Sequence, residues 1–144
     1  MKHKLINDGS ERSFARVFEQ GDEAMASLTR FARDNRLEAA RFTGIGAVSG
    51  AVLGFFDLAR KDDQRIAIDE QVEVVSLVGD VARGPDGAAL RHAHIVVAKR
   101  DGSAWGGHLL EAQVQPTLEV MLVESPSHLQ RCIDAATGLA LIRL

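Results

Sequence analysis

Extended apolar segments follow one another from Arg41 to the end of this chain, and only one stretch carries helical spacing. Met25, Leu28 and Ala32, with Phe31 beside them, predict a helix running to about Asn35. Asp22 is placed to cap it, and Glu23 suits the positive end of its dipole. Ser13 to Glu19 reads as a strand halted at Gly21. Arg41 to Asp57 is glycine-rich and long enough for one bent strand or two, and Ile66 to Val81 is a Val- and Ile-rich extended stretch. Leu90 to Lys99 and Trp105 to Val114 form a hairpin, and Thr117 to Glu124 follows Pro116 as a further strand. A short C-terminal helix is expected after Pro126, capped by Ser125 or Ser127, with Ala140 to Leu144 as a closing strand. One early helix among roughly seven strands predicts an α+β fold with a mainly antiparallel sheet.

At 144 residues the chain has the length of a single domain, taken as 1–144, able to bury about 68–70% of its unfolded surface. A net charge of −3 argues against a free-standing nucleic-acid binder, since phosphate contacts need local positive charge. No apolar run approaches a bilayer span, so no membrane partner is expected. Met1 to Asp8 lacks the apolar core of a signal peptide, and the one cysteine, Cys132, suits a reducing cytoplasm.

Three histidines, His92, His94 and His108, lie within 17 residues and are the cluster of good metal ligands in the sequence. His92 and His94 are two apart, so on a strand they share a face. His108 lies on the next strand, beyond Lys99-Arg100-Asp101-Gly102-Ser103. Its side depends on the turn. A two-residue Asp101-Gly102 loop sets His94 opposite Leu109 and turns His108 away. A loop one residue longer with Gly102 left-handed, or a bulge at Gly106-Gly107, sets His94 opposite His108. Three neutral imidazoles favour zinc or a similar transition metal, and three protein ligands leave a fourth position open, as in catalytic sites.

Other motifs carry less. In Gly44-Ile45-Gly46-Ala47-Val48-Ser49-Gly50 the third glycine is one place late for a dinucleotide fingerprint, and a strand follows where a helix is required. Those glycines suit close backbone approach or a bulge. There is no Walker A sequence, Ser49 is not in a nucleophile elbow, and Cys132 has no local partner for thiolate chemistry. Glu73, read as sharing a strand face with Val75 and Leu77, is a candidate general acid–base group, with Glu111 a second and Glu119 less diagnostic. Trp105, beside two glycines, reads as partly buried packing. Arg30, Arg33 and Arg36 run along the helix as a candidate phosphate-binding ridge, or as solvated cations near its C-terminus.

In order and spacing, Gly44-Ile45-Gly46-Ala47-Val48-Ser49, Glu73 to Gly79, His92-Ala93-His94-Ile95-Val96, Asp101-Gly102 through Gly106 to Ala112, and Pro116 to Val120 resemble the PPC domain, found in plants and prokaryotes. The likeness covers about residues 12–142 and is to the stand-alone bacterial members. It implies an α+β fold around a mostly antiparallel sheet, a homotrimer, and a metal, zinc by expectation, on the histidines matching His92, His94 and His108. The family also carries a DNA-binding label, because in plants the domain is joined to AT-hooks of the Arg-Gly-Arg-Pro type. No such segment occurs in this sequence.

Two functions stay open. One is a trimeric regulatory module, DNA-associated, with the metal supporting the fold. The other is a zinc-dependent enzyme or small-ligand binder, with Glu73 or Glu111 as base. The metal's fourth ligand separates them: an open position facing a pocket supports chemistry, and a buried protein carboxylate supports a structural site.

Overall fold

The computed structural model describes residues 2–125 and 129–144. Its helix α1, Ala24–Asp34, buries Met25, Leu28, Phe31 and Ala32 on one face, as their spacing predicts. The cap is one residue later than expected. Glu23 accepts from the Met25 and Ala26 amides and also from the Ala112 amide, tying the helix start to the sheet. Asp22 instead accepts from the Glu19 amide. Glu23 wins because its backbone already bridges to Gln113, and its longer side chain reaches back to the first turn.

The strands are β1 (Lys2–Asp8), β2 (Arg12–Glu19), β3 (Ala39–Asp57), β4 (Asp62–Ile68), β5 (Val72–Arg83), β6 (Ala89–Ala98), β7 (Ala104–Glu124), β8 (Gln130–Ile133) and β9 (Ala140–Arg143). They form one nine-stranded sheet, two strands more than expected. β1 escapes the periodicity because all seven of its residues are exposed, leaving no apolar face to alternate. The stretch from Ile66 to Val81 belongs to two strands, β4 ending at Ile68 and β5 starting at Val72. The two segments around Pro116 are one strand, β7. Proline has no ladder N–H, and Pro116 falls where the β3–β7 register shifts between Gly46 and Val48, so no donor is lost. The short C-terminal helix is not found among the described residues. Its expected start, 126–128, lies outside them, and Gln130–Ile133 pairs as β8. The sheet is mixed, because β8 meets β5 in parallel at Arg83 and Gln130 while the other pairings are antiparallel.

The pairings close into a circuit. β3 bonds β5 and β7, while β6 bonds β5 and the first residues of β7. One face of this circuit lies against α1 and buries Leu53, Leu77, Ile95, Val97, Leu109 and Leu122. Burying each such side chain contributes about 1.5–3 kcal/mol. Arg16, 1% exposed, is held among these groups with its guanidinium 4.3 Å from the Phe31 ring centroid and 5.1 Å from that of Phe18. The other face presents its side chains outward. Ala15, Met121, Thr43, Val78, His94 and His108 are successive register partners along one row across it.

Candidate metal centre

The turn joining β6 to β7 decides whether the histidines meet. Lys99 N–H bonds the Ser103 carbonyl at 2.9 Å, and Gly102 N–H bonds the Lys99 carbonyl at 2.9 Å. Gly102 has φ +82°, the left-handed conformation that glycine adopts without a Cβ penalty. Asp101 Oδ1 accepts from the Ser103 amide at 2.9 Å and hydroxyl at 2.6 Å, fixing the exit. This is the longer of the two loops considered from sequence. His94 consequently pairs with His108, and the register runs unbroken through Gly107 and Gly106 to Ala104. No bulge is needed at the glycine pair.

Ala93, Ile95 and Val97 point into the core, so His92 and His94 point out beside His108. Ring centroids are 5.0 Å apart for His92 and His94, 5.1 Å for His92 and His108, and 4.4 Å for His94 and His108. One nitrogen from each lies within 4.8 Å of the others. Zinc–nitrogen bonds of about 2.0–2.1 Å would draw the three nitrogens closer together than that limit.

Carboxylates lie beside two of the rings, one of them hydrogen-bonded. Asp63 Oδ1 lies 3.0 Å from His108 Nδ1. A carboxylate only accepts, so the ring donates from Nδ1 and Nε2 keeps its lone pair for a metal. Asp63 reaches the ring because β3 offers Gly54 there, opposite His108; a Cβ at Gly54 would sit 2.8 Å from Asp63 Oδ1. Asp80 pairs across the ladder with His92, its Oδ2 4.0 Å from Nδ1. Arg131 anchors Asp80 through Nη2 at 2.6 Å and donates from Nη1 to the Ala140 carbonyl at 2.8 Å.

Burial lowers the pKa of His92 and His94 below the ordinary histidine value. Arg131 and the other two rings lower His92 further, and His108 does so for His94. Both effects favour the neutral imidazole that binds metal.

A cleft of about 560 Å³ opens beside the cluster, with His92 and His108 in its wall. It exists because β6 and β7 part company. Leu90 to Ala93 pair with β5 alone, while β7 from Leu109 onward turns to β3. Met25 of α1, Asp63 and Arg65 of β4 and Leu141 of β9 complete the walls.

The other residues singled out from sequence are scattered. Glu111 is in this cleft, its carboxylate bonded to Arg65 Nη2. Glu73 is not; it lines a separate depression with Ile45, Val75 and Glu119. A register shift between Val74 and Ser76 breaks the assumed alternation, so Glu73 shares the exposed side with Val75 while Leu77 is buried. Trp105 is 42% exposed, with Lys99 Nζ 4.7 Å from its ring centroid. Arg30 and Arg33 are exposed on α1, and Arg33 pairs with Asp34. Arg36 lies past the helix end at φ +52°, so the three form no continuous helical ridge. Sequence reading missed Asp63, Asp80 and Arg131. A carboxylate among the apolar residues of β5 was the available signal for Asp80; Asp63 and Arg131 had none.

Comparison with known proteins agrees with this architecture. A metal-containing protein of Archaeoglobus fulgidus matches with TM-score 0.85 and 28% identity, over 99% of this chain and 97% of that one. A candidate DNA-binding protein of Ralstonia eutropha JMP134 matches with TM-score 0.84 and 30% identity, over 91% and 90%. The bifunctional protein GlmU of Synechococcus sp. (strain JA-3-3Ab) is 32% identical over 133 residues, 90% of this chain but 20% of that protein. The chain thus spans about one fifth of the length of the curated relatives it matches. The family model for the Plants and Prokaryotes Conserved (PCC) domain matches residues 6–126. By that match the chain belongs to the PCC domain family, the one its motifs resemble.

Proposed function

We propose that the protein is a metal-binding module whose centre serves a small ligand. His92, His94 and His108 hold one divalent transition metal, and zinc suits three neutral imidazoles. The observation that carries this is the ligand set itself. Three imidazoles converge, no carboxylate joins the cluster among the described residues, and two of the three rings border a cleft. A structural site would be closed by a fourth protein ligand; a metal held by this set would keep an exchangeable position. A neighbouring fold in a metal-containing protein supports the reading.

Zinc bound there supplies Lewis-acid chemistry. Glu111, held by Arg65 in the cleft, is the carboxylate placed to move a proton if the ligand is a substrate. Glu73 has no such position. The reading takes the whole chain as one domain, working in a reducing cytoplasm. No helix among the described residues is long and apolar enough to cross a membrane.

Self-association as a homotrimer is part of the proposal. Ile45, Val75, Val78 and Met121 are between 47% and 62% exposed on the outer sheet face, a patch that a second copy would cover. A DNA-associated role is the second reading, favoured by the likeness to the Ralstonia protein. The net charge of −3 and the Arg33–Asp34 pair make such contact weak, near the non-specific range of about 10⁻⁴–10⁻⁶ M.

Metal analysis of zinc-supplemented protein purified without a histidine tag should give one metal per chain, and light scattering three times the 15.6 kDa chain mass. Protein without metal would overturn the centre. A single-chain mass would sink the trimer.

A further inference from the structure

We propose that the cleft beside the histidines binds a small organic carboxylate with an aliphatic body, its carboxylate received by Arg91. The argument begins with charge pairing in the walls. Arg65 is bonded to Glu111, Arg131 to Asp80, and Asp63 to His108. Arg91 lines the same cleft and, unlike Arg65 and Arg131, has no ion pair or side-chain hydrogen bond among the described residues. Its Nε is buried and unbonded, as is that of Arg131, so the terminal nitrogens are the ones left to a ligand. A carboxylate meets the two Nη groups of a guanidinium with two parallel hydrogen bonds.

The remaining wall sets the rest of the ligand. Leu90 and Leu109 flank the parting strands, Met25 comes from α1, and Leu139 and Leu141 close the far side. The volume of about 560 Å³ is that of a small-molecule site and far exceeds the space a simple inorganic anion fills. One unpaired guanidinium asks for one negative charge. Apolar walls ask for carbon rather than the hydrated oxygens of a phosphate ester. A monocarboxylate with an alkyl chain satisfies both demands.

This deepens the metal reading and rests on it in one respect, that the carboxylate head, or a polar group next to it, also reaches the metal's open position. Arg91 and the apolar wall act without the metal, which makes the two ideas separable.

Octanoate is titrated by calorimetry into protein stripped with a chelator and into the same protein reloaded with zinc, with acetate and 1-octanol as comparison probes. Octanoate should bind one per chain, more tightly than either comparison probe and more tightly again after zinc loading. Arg91→Gln should weaken octanoate about tenfold or more in both forms, the equivalent of roughly 1.4 kcal/mol. Arg91→Lys, which keeps the charge and loses the fork, should fall between, and far-UV circular dichroism checks that both variants are folded. If 1-octanol binds as tightly as octanoate, or if folded Arg91→Gln binds octanoate like the parent, the proposal is wrong. If the protein takes up no zinc, the metal reading fails while the Arg91 comparison on stripped protein still decides this one. If zinc is held but octanoate is no tighter, the contact to the metal is removed from the proposal and the Arg91 site stands.

Discussion

The sequence directs attention to two sets of side chains, the histidines of β6 and β7 and the arginines on and after α1, and the fold treats them in opposite ways. The histidines sit on paired strands in a closed circuit, and two of them, His92 and His108, have Asp80 and Asp63 beside them. The arginines sit at a solvated helix end, one bonded to its own neighbour Asp34 and one already beyond the helix. Three residues of suitable type exist in each set. What separates them is support: ladder register and a second layer of partners hold a constellation, whereas a free helix end leaves each side chain to water.

That contrast is open to attack from both sides. The largest expected effect is His94→Ala, which removes one of the three ligands; metal content should drop from one per chain to near zero, and unchanged content would abolish the distinction. Asp63→Asn keeps the size but removes the carboxylate that holds His108, and should weaken metal binding about 10–100-fold in a chelator competition. If it leaves affinity intact, the supporting layer is not what makes this cluster a site.

Acid gives an intermediate effect. Because burial lowers the His92 and His94 pKa values in the folded protein, the unfolded chain takes up protons first as pH falls through about 6.5. The unfolded state then binds more protons than the folded one, so the metal-free protein should lose stability on acidification below that pH and keep it above. Urea denaturation across this range reads the slope, and His92→Gln should flatten it. A parent protein with no slope there would contradict the burial argument.

The smallest effect belongs to the helix end. Changing Arg30, Arg33 and Arg36 to alanine should shift stability within about 0.5 kcal/mol per site. In a salt titration with random and AT-rich duplexes, the parent should bind weakly and without sequence preference. Tight, sequence-dependent binding lost in the triple variant would show the arginines to be the better-built site.

How much of this was legible beforehand varies with the physics. The α1 helix was readable because one apolar face repeats at helical spacing. The His92–His94 pair was readable because a strand alternates; the choice of side for His108 was readable only as a condition on loop length. Asp63 and Arg131 were not legible. They lie 45 and 51 residues from the groups they contact, and strand pairing alone brings them in. Glu73 was misplaced because a bulge leaves no mark in composition, yet reverses the facing of everything beyond it. β1 was missed because its residues are exposed on every side.

The turn from Lys99 to Ser103 gives the site an unusual kind of inheritance. A point substitution erodes a metal centre by degrees, but the length of this loop acts as a two-position selector. Close it on Arg100 and Ser103 in place of Lys99 and Ser103, and β7 must choose between partners. A step of one along β6 would set His94 opposite Leu109 and turn His108 to the other side, while the long pairing with β3 holds His108 opposite Gly54. Gly102, whose φ of +82° fixes the present closure, therefore governs the centre without touching a ligand.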